Sequence, residues 1–197
     1  DPVVLDQVDQ NGTSVLLLIA YAGLPKAFEK ARLLKTACTF HEAIVYGRTQ
    51  DVANALKDPS CANTYSHDGF TPLSLAAFFN QTEIAKLLLT NGADPNLQAT
   101  NPSKVNALHS AVARQNIELC KLFIQQGANV NACQTQNVTP LHSAAHLGNL
   151  ELVKLLVDNG ADIGSKTDGG KTAMDFAVED KHDDVRLYLQ GMLSNKY

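Results

Sequence analysis

Residues 138–167 read VTPLHSAAHLGNLELVKLLVDNGADIGSKT and define the unit from which most of this chain is built. Thr139 is suited to cap a helix, because its hydroxyl can accept a hydrogen bond from a free backbone N–H group. Gly148 predicts the end of this first helix, since glycine readily adopts the left-handed backbone conformation. A second helix follows, and its apolar residues share one face: Leu152, Leu155 and Leu156. Neither helix has an apolar face large enough to be stable alone, so each unit must be buried by its neighbours.

The same unit recurs along the chain at a nearly constant interval. Its first helix carries an apolar residue at an equivalent position in successive copies, namely Leu73, Leu108, Leu141 and Met174. The steps between these residues are 35, 33 and 33, and a further step of 33 back from Leu73 reaches Phe40. The apolar triplets of the second helix keep the same register in all five copies. This periodicity predicts a stack of helix pairs in which each unit contacts only its neighbours.

This unit resembles the ankyrin repeat, which starts its first helix with a TPLH-type motif and carries GAD and Asn about twenty residues later. The motifs behind the resemblance are Thr71-Pro72-Leu73, Leu108-His109, Thr139-Pro140-Leu141-His142, Gly92-Ala93-Asp94-Pro95-Asn96, Gly127-Ala128-Asn129-Val130-Asn131 and Gly160-Ala161-Asp162. The resemblance covers residues 36–197. It implies an all-α solenoid of about six helix–turn–helix units joined by β-hairpin-like loops. It also implies a role in binding other proteins.

The repeat frame predicts five regular units and one degenerate one. The regular units are expected at 36–68, 69–103, 104–136, 137–169 and 170–197, the last being a C-terminal cap with a polar outer face. Residues 1–35 are expected to form a degenerate N-terminal repeat that caps the stack. Within it, Ser14 would begin the first helix and Pro25 the second, and the inward residues would be Phe28, Ala31 and Leu34.

Composition narrows the classes of function. The net charge of −4 argues against a nucleic-acid platform, which usually carries a basic excess. No run of eighteen apolar residues is present, so we expect no membrane span. The cysteines occupy unrelated places in the repeat frame, which favours reduced thiols and a cytoplasmic location. The chain opens with Asp1 and not with Met, which suggests a piece of a larger protein. We also expect a monomer.

In ankyrin-like stacks the first helices line a concave surface, and the loops between units project beside it as fingers. The resemblance implies that the two residues before each inter-helix turn are exposed there. These pairs are Tyr21/Ala22, Val45/Tyr46, Phe78/Phe79, Ala113/Arg114, His146/Leu147 and Glu179/Asp180. An exposed row of apolar and aromatic residues is typical of an interaction site. The alternative is that some of these rings are buried between adjacent units.

We therefore expect a partner protein or peptide to be bound by residues from these pairs and from the finger tips. From the pairs, the candidates are Tyr21, Val45, Tyr46, Phe78, Phe79, Arg114, His146 and Leu147. From the first finger they are Tyr65, His67 and Phe70, which could surround an apolar centre with polar contacts. For these finger residues, a plain solvated turn is the alternative interpretation.

Other side chains that could carry chemistry have structural explanations. His41, His109 and His142 share one position in the repeat, which predicts hydrogen bonds at the corner between loop and helix. Cys38, His41, Cys61 and His67 offer zinc-ligand types, but no CxxC pair occurs, and the first two occupy ordinary repeat positions. Motifs for nucleophilic, phosphate-binding or zinc-protease sites are missing. We expect no metal, no cofactor and no catalytic activity.

The sequence thus favours a non-catalytic interaction module, serving as an adaptor, a scaffold or a regulatory subunit, that binds through its concave face. Its affinity would come from a rigid surface that loses little entropy on docking. Three alternatives remain open. The chain could be a passive spacer, an inhibitory subunit of an enzyme, or an interaction domain of a larger ankyrin-bearing enzyme or effector.

Overall fold

The computed structural model describes residues 7, 15–24, 26–27, 30 and 38–194. In this part of the chain the secondary structure is helical, without strands, and the α-helices that follow the first one come in consecutive pairs. In chain order they are α1 Val15–Tyr21; α2 Phe40–Val45 and α3 Thr49–Ala55; α4 Pro72–Phe78 and α5 Thr82–Thr90; α6 Ala107–Ala113 and α7 Ile117–Gln125; α8 Pro140–His146 and α9 Leu150–Asp158; α10 Ala173–Glu179 and α11 Asp183–Ser194. The predicted all-α solenoid is confirmed.

The first helix of each pair begins at a polar cap. The Thr71 hydroxyl oxygen accepts a hydrogen bond from the backbone N–H of Ser74 at 3.0 Å, and the Asn106 side chain accepts one from His109 at 3.1 Å. At Thr139 the backbone N–H donates to Nδ1 of His142 at 3.1 Å. Each cap satisfies backbone groups that the first helical turn leaves without a partner. The helix starts are therefore set by local sequence.

The apolar core runs continuously through the stack. First helices pack on first helices, α4 on α6 and α8 on α10, and second helices pack behind them. Fully enclosed side chains from the second helices include Leu88, Phe123 and Leu156. First helices contribute alanines at their contact faces, because small side chains let neighbouring units approach closely. The core of each unit is thus completed by the next, as the periodicity predicts.

The turn inside each pair uses one position with a left-handed backbone. Its occupants are Gly47, Asn80, Gln115, Gly148 and Lys181, with φ between 53° and 70°. Gln115, which stands where Gly148 stands in its unit, adopts the same left-handed geometry. Two of the non-glycine residues also bridge units: Asn116 donates to Asn80 at 3.1 Å, and Asn149 donates to Gln115 at 3.0 Å. These bonds help to offset the strain of about 1 kcal/mol that a side chain incurs in this conformation.

The segments that join one pair to the next, which we call finger loops, are linked tip to tip. Backbone hydrogen bonds run from Thr100 to Gly69, from Thr135 to Ser103 and from Asp168 to Gln136, at 2.9, 3.2 and 3.0 Å. Within the loop around residue 136, Gln134 and Val138 form a single antiparallel bridge. The loops thus have hairpin-like hydrogen bonding without a regular strand. This ladder holds the loops beside the first helices, where they form one wall of a groove.

The N-terminal expectations lie largely outside the described residues. Ser14, Pro25, Phe28, Ala31 and Leu34 are not among them. The described part contains α1, which packs against α2. The division of the chain into a capping repeat at 1–35 and regular units from 36 onward therefore stays a prediction.

Candidate functional site

A groove of about 390 Å³ lies between the first helices α4, α6 and α8 and the finger loops. Its lining is mainly apolar, with several hydroxyl groups among the apolar side chains. The lining residues are Tyr21, Phe70, Ser74, Leu75, Phe78, Ser103, Val105, His109, Ser110, Ala113, Gln134 and Ser143. The groove has the size of a small-ligand or peptide site, for which volumes of about 300–1,000 Å³ are typical.

One end of the groove is closed by a cluster of aromatic rings. The ring of Tyr21 lies with its centroid 5.7 Å from that of Phe79 and 6.2 Å from that of Phe70. Its hydroxyl donates a hydrogen bond to Oδ2 of Asp68 at 2.7 Å. Burial, followed by the neighbouring Asp68 carboxylate, raises the pKa of the Tyr21 phenol above its usual value, so the phenol stays protonated. Tyr21 is thereby held as a wall of the groove by α1.

Phe78 forms the exposed edge of the groove. Phe78 is a large apolar residue, yet 37% of its surface is accessible to solvent. Phe79 packs edge-on against it with a centroid distance of 5.3 Å, and the guanidinium carbon of Arg114 lies 5.5 Å above its ring. The ring is therefore supported by two neighbouring side chains while part of its surface remains exposed. Such a preorganised aromatic residue loses little side-chain entropy when a partner covers it.

The floor of the groove was missed by the sequence reasoning. It is formed by Leu75, Ser110 and Ser143, which occupy one equivalent position in successive first helices, together with His109. Helical spacing could have revealed this row, because residues three and four positions before Phe78 share its side of α4. The small serines keep the floor low, so space remains between the helices and the finger loops.

The expectation that Val45 and Tyr46 are exposed on the concave surface is wrong. Val45 is fully buried and Tyr46 retains only 2% of its surface. The reason is that α2 is packed between α1 and α4, which enclose the end of α2 on both sides. Burial raises the pKa of the Tyr46 phenol, with the Glu42 carboxylate as a smaller cause. These two residues belong to the core, and a partner cannot reach them without unfolding.

The predicted pair His146 and Leu147 lies beyond the groove. Its surroundings are polar side chains that pair with one another. Nδ1 of His146 is 2.6 Å from Oδ2 of Asp180, and Lys171 donates to Glu179 at 2.7 Å. His146 is exposed, whereas Leu147 is only partly so. Neither residue lines the groove. The apolar site therefore ends near α8, and a self-paired polar surface continues toward α10.

The residues predicted on the first finger separate into two groups. Phe70 is half-buried and lines the groove beside Tyr21. Tyr65 and His67 are exposed on the same loop but do not reach the groove. The structure thus brings together Tyr21, Phe70 and Phe78, with Arg114 at the edge. Phe79 supports the rings from behind.

The histidines at 41, 109 and 142 form the hydrogen bonds that their shared position predicts. The ring Nε2 atoms lie 3.0 Å from the Thr64 carbonyl, 3.3 Å from that of Val138 and 3.1 Å from that of Ser165, respectively. Each ring thus ties its first helix to the following finger loop. Desolvation by burial lowers the pKa of all three, in His109 to about 4. These rings are neutral at neutral pH and serve the architecture.

No group of three or more His, Cys, Asp or Glu side chains in the described residues is arranged to hold a metal ion. The four free cysteines include Cys120, whose burial raises the pKa of its thiol to about 12. Among the helices described, none is both long and apolar enough to cross a lipid bilayer.

Comparison with known families settles the relationship that the motifs suggest. A model of three consecutive ankyrin repeats matches residues 108–195, and a model of a single ankyrin repeat matches residues 68–100. This chain belongs to the ankyrin repeat family. Ankyrin repeats are generally protein–protein interaction modules and are typically not catalytic themselves. The family accounts for the helix pairs, the capped first helices and the ladder of finger loops.

Several curated ankyrin repeat proteins resemble parts of this chain. The fowlpox virus ankyrin repeat protein FPV014 is 35% identical over 102 residues, which are 49% of this chain and 22% of that protein. The mouse histone-lysine N-methyltransferase EHMT1 is 35% identical over 66 residues, 32% of this chain and 5% of the enzyme. Human ankyrin repeat family A protein 2 is 34% identical over 65 residues, 33% of this chain and 21% of that protein. This ankyrin repeat chain spans less than a quarter of each relative.

Proposed function

We propose that this ankyrin repeat chain is a non-catalytic interaction module that holds a short segment of a partner protein in the groove. The observation that carries the proposal is the open apolar groove, whose wall is Tyr21, whose edge is Phe78 and whose floor is the row of small residues on α6 and α8. Exposed apolar surface is unfavourable in water, and an aromatic edge of this kind is typical of binding hot spots.

Rigidity supports the same proposal. Phe78 is braced by Phe79 and Arg114, and Tyr21 is fixed by its hydrogen bond to Asp68. A partner segment therefore docks onto side chains that are already in place, which reduces the entropic cost of binding. We assign direct contact to Tyr21, Phe70, Phe78 and Arg114. Peripheral contact is assigned to Phe79, His146, Leu147, Tyr65 and His67.

The role in the cell that we propose is that of an adaptor, scaffold or regulatory subunit in the cytoplasm, acting as a monomer. The similarity to part of a histone-lysine N-methyltransferase favours a second candidate, an interaction domain within a larger enzyme. In both cases the groove recognises a protein and the chemistry, if any, lies in another domain. The two differ only in what the interaction module is attached to.

A substitution at the edge of the groove tests the proposal. Phe78→Asp places a charge where the partner would bury an apolar ring, so partner capture should fall to background while helical circular dichroism stays unchanged. The measurement is a pull-down with the full chain, quantified by mass spectrometry. Leu187→Asp is the matched control, because Leu187 is an equally apolar side chain that is 58% exposed on α11, away from the groove.

The proposal is overturned if Phe78→Asp and Leu187→Asp lose the same partners, or if neither variant loses any. A spacer without a binding role would give no protein whose capture depends on Phe78.

Tyr46→Asp should behave differently from Phe78→Asp. It places a charge in a site with 2% exposure, and should therefore unfold the chain and remove its helical signal.

A further inference from the structure

The edge of the groove carries positive charge that the protein does not neutralise. Arg114 is exposed at the end of α6, with its guanidinium over the ring of Phe78. Lys104 is exposed on the finger loop between the lining residues Ser103 and Val105. Among the ion pairs of the described residues, none involves either side chain. The groove is therefore bordered on its helix side by the Arg114 guanidinium.

Several cations elsewhere in the described stack form ion pairs. Lys86 lies 3.0 Å from Glu83 and 3.2 Å from Glu118, and Lys171 lies 2.7 Å from Glu179. The chain as a whole has a net charge of −4, so an acidic partner is repelled by the protein at long range. Arg114 forms no such ion pair among the described residues, so the charge of its guanidinium is available to a ligand.

The carboxylate of Asp68 lies at the aromatic end of the groove, where it holds Tyr21. Asp68 accepts hydrogen bonds from the Tyr21 hydroxyl at 2.7 Å and from the Ser66 hydroxyl at 2.5 Å. The Asp68 carboxylate thus holds Tyr21 in place, and among the described residues it forms no ion pair with Arg114. The groove therefore presents an apolar surface to a partner, with the positive charge of Arg114 at its edge.

We propose that the partner segment in the groove is an acidic one, in which bulky aliphatic or aromatic side chains are followed closely by an aspartate or a glutamate. This inference rests on the proposed function of the groove. The apolar side chains fill the space between Tyr21 and Phe78, and the carboxylate pairs with Arg114. A guanidinium held on an aromatic ring is well suited to this role, because it is weakly hydrated and presents planar donors to a carboxylate. A basic segment is rejected by the same charge.

The test starts with a random dodecapeptide library displayed on phage and selected against the full chain. The expected result is enrichment of Asp or Glu beside Leu, Ile, Phe or Trp in the bound peptides. A selected peptide is then labelled with a fluorophore and titrated by fluorescence anisotropy. Arg114→Glu should weaken binding by roughly three- to tenfold, the size expected for reversing one partly exposed charge. Replacing the acidic residue of the peptide with lysine should shift its preference from the wild-type chain to the Arg114→Glu variant.

The control is Lys154→Glu. Lys154 also lies over an aromatic ring, with Nζ 5.6 Å from the centroid of Tyr188, but it belongs to α9 and not to the groove. This variant should bind the peptide as the wild-type chain does. Equal weakening in the two variants would show a general effect of net charge and would overturn the assignment to Arg114.

The outcomes separate the two proposals. If the selected peptides lose binding on Phe78→Asp but carry no acidic residue, or are basic, the groove binds segments and the acidic chemistry is wrong. If their binding is indifferent to Phe78→Asp, or if no peptide is selected above the unselected library, the proposed function of the groove fails as well.

Discussion

The imidazole of His109 illustrates how one side chain serves both the stack and the groove. It lines the groove floor, yet only 3% of its surface is accessible, because it lies under the loop that leads to α8. Nδ1 is 2.8 Å from the Asn106 side chain at the start of α6, and Nε2 is 3.3 Å from the Val138 carbonyl in the next unit. Protonation of this ring would place a charge in a poorly hydrated site, which is why its pKa is lowered.

This burial predicts a loss of stability in mild acid. The folded-state pKa of His109 is about 4, below its ordinary value of 6.5, so the unfolded chain binds the proton more readily. The neutral His109 ring makes its full contribution to the free energy of unfolding above pH 6.5. As the pH falls from 6.5 towards 4 this contribution is lost, which lowers the free energy of unfolding by roughly 3 kcal/mol. Urea unfolding followed by circular dichroism at several pH values measures it. His109→Gln should flatten the dependence in this window.

The control for the pH experiment is His67→Gln, since His67 is exposed on a finger loop. This variant should retain the wild-type dependence of the unfolding free energy on pH. If His109→Gln and His67→Gln show the same slope, the loss of stability in acid arises elsewhere in the chain.

At the scale of an element, the left-handed position of the turn inside each helix pair is occupied either by glycine or by a residue with a side chain. All its occupants have a positive φ. At Gly148 the space for a side chain is taken by the ring of His182, which reaches over from the next pair and lies 3.0 Å from the His146 carbonyl. At Gln115 a side chain is accommodated and accepts a hydrogen bond from Asn149. The same backbone therefore tolerates different residues, according to what the next unit places above it.

Two substitutions distinguish these turns. Gly148→Ala adds left-handed strain and a collision with His182, so it should lower the free energy of unfolding by about 1–3 kcal/mol. Gln115→Gly removes comparable strain but loses the bond to Asn149, so its net effect should stay within about 1 kcal/mol of zero. Chemical denaturation of both variants measures the difference. Similar effects in the two variants would mean that the neighbouring unit does not decide which residue the turn accepts.

At the scale of the whole molecule, stability should vary along the stack. Units around α6 and α8 are packed on both sides, whereas α11, among the described residues, packs mainly against α9 and α10. In a linear array each unit is stabilised by its own contacts and by those with its nearest neighbours. The centre should therefore open less often than the ends.

Amide hydrogen exchange tests this gradient. We expect the slowest exchange in α6 to α9 and faster exchange in α1 and α11, because opening an end sacrifices one interface and opening the centre sacrifices two. The experiment uses the full chain at neutral pH, with exchange read by mass spectrometry of peptides. Uniform protection from α2 to α11 would contradict the gradient and indicate a single cooperative unit.

Much of this fold follows from local signals in the sequence. Thr71 and Asn106 mark helix starts because their side chains satisfy backbone groups within one turn, and Gln115 marks a turn because the register demands a left-handed residue there. The shared position of His109 and its two equivalents predicted a structural role, which the contacts confirm. These features depend on residues close in sequence or on the repeat period. Both can be read without coordinates.

By itself, then, the sequence determined the repeat period, the helix pairs, their caps and turns, and the all-α solenoid. Only the tertiary structure decided which of the aromatic positions face solvent. Phe78 remains open, while Tyr46, at a neighbouring position of the same predicted row, is enclosed. The physical reason is that exposure depends on what adjacent units place above a residue. Tyr46 is covered where α2 meets α1 and α4, and the groove exists because small serines on α6 and α8 leave space below the finger loops.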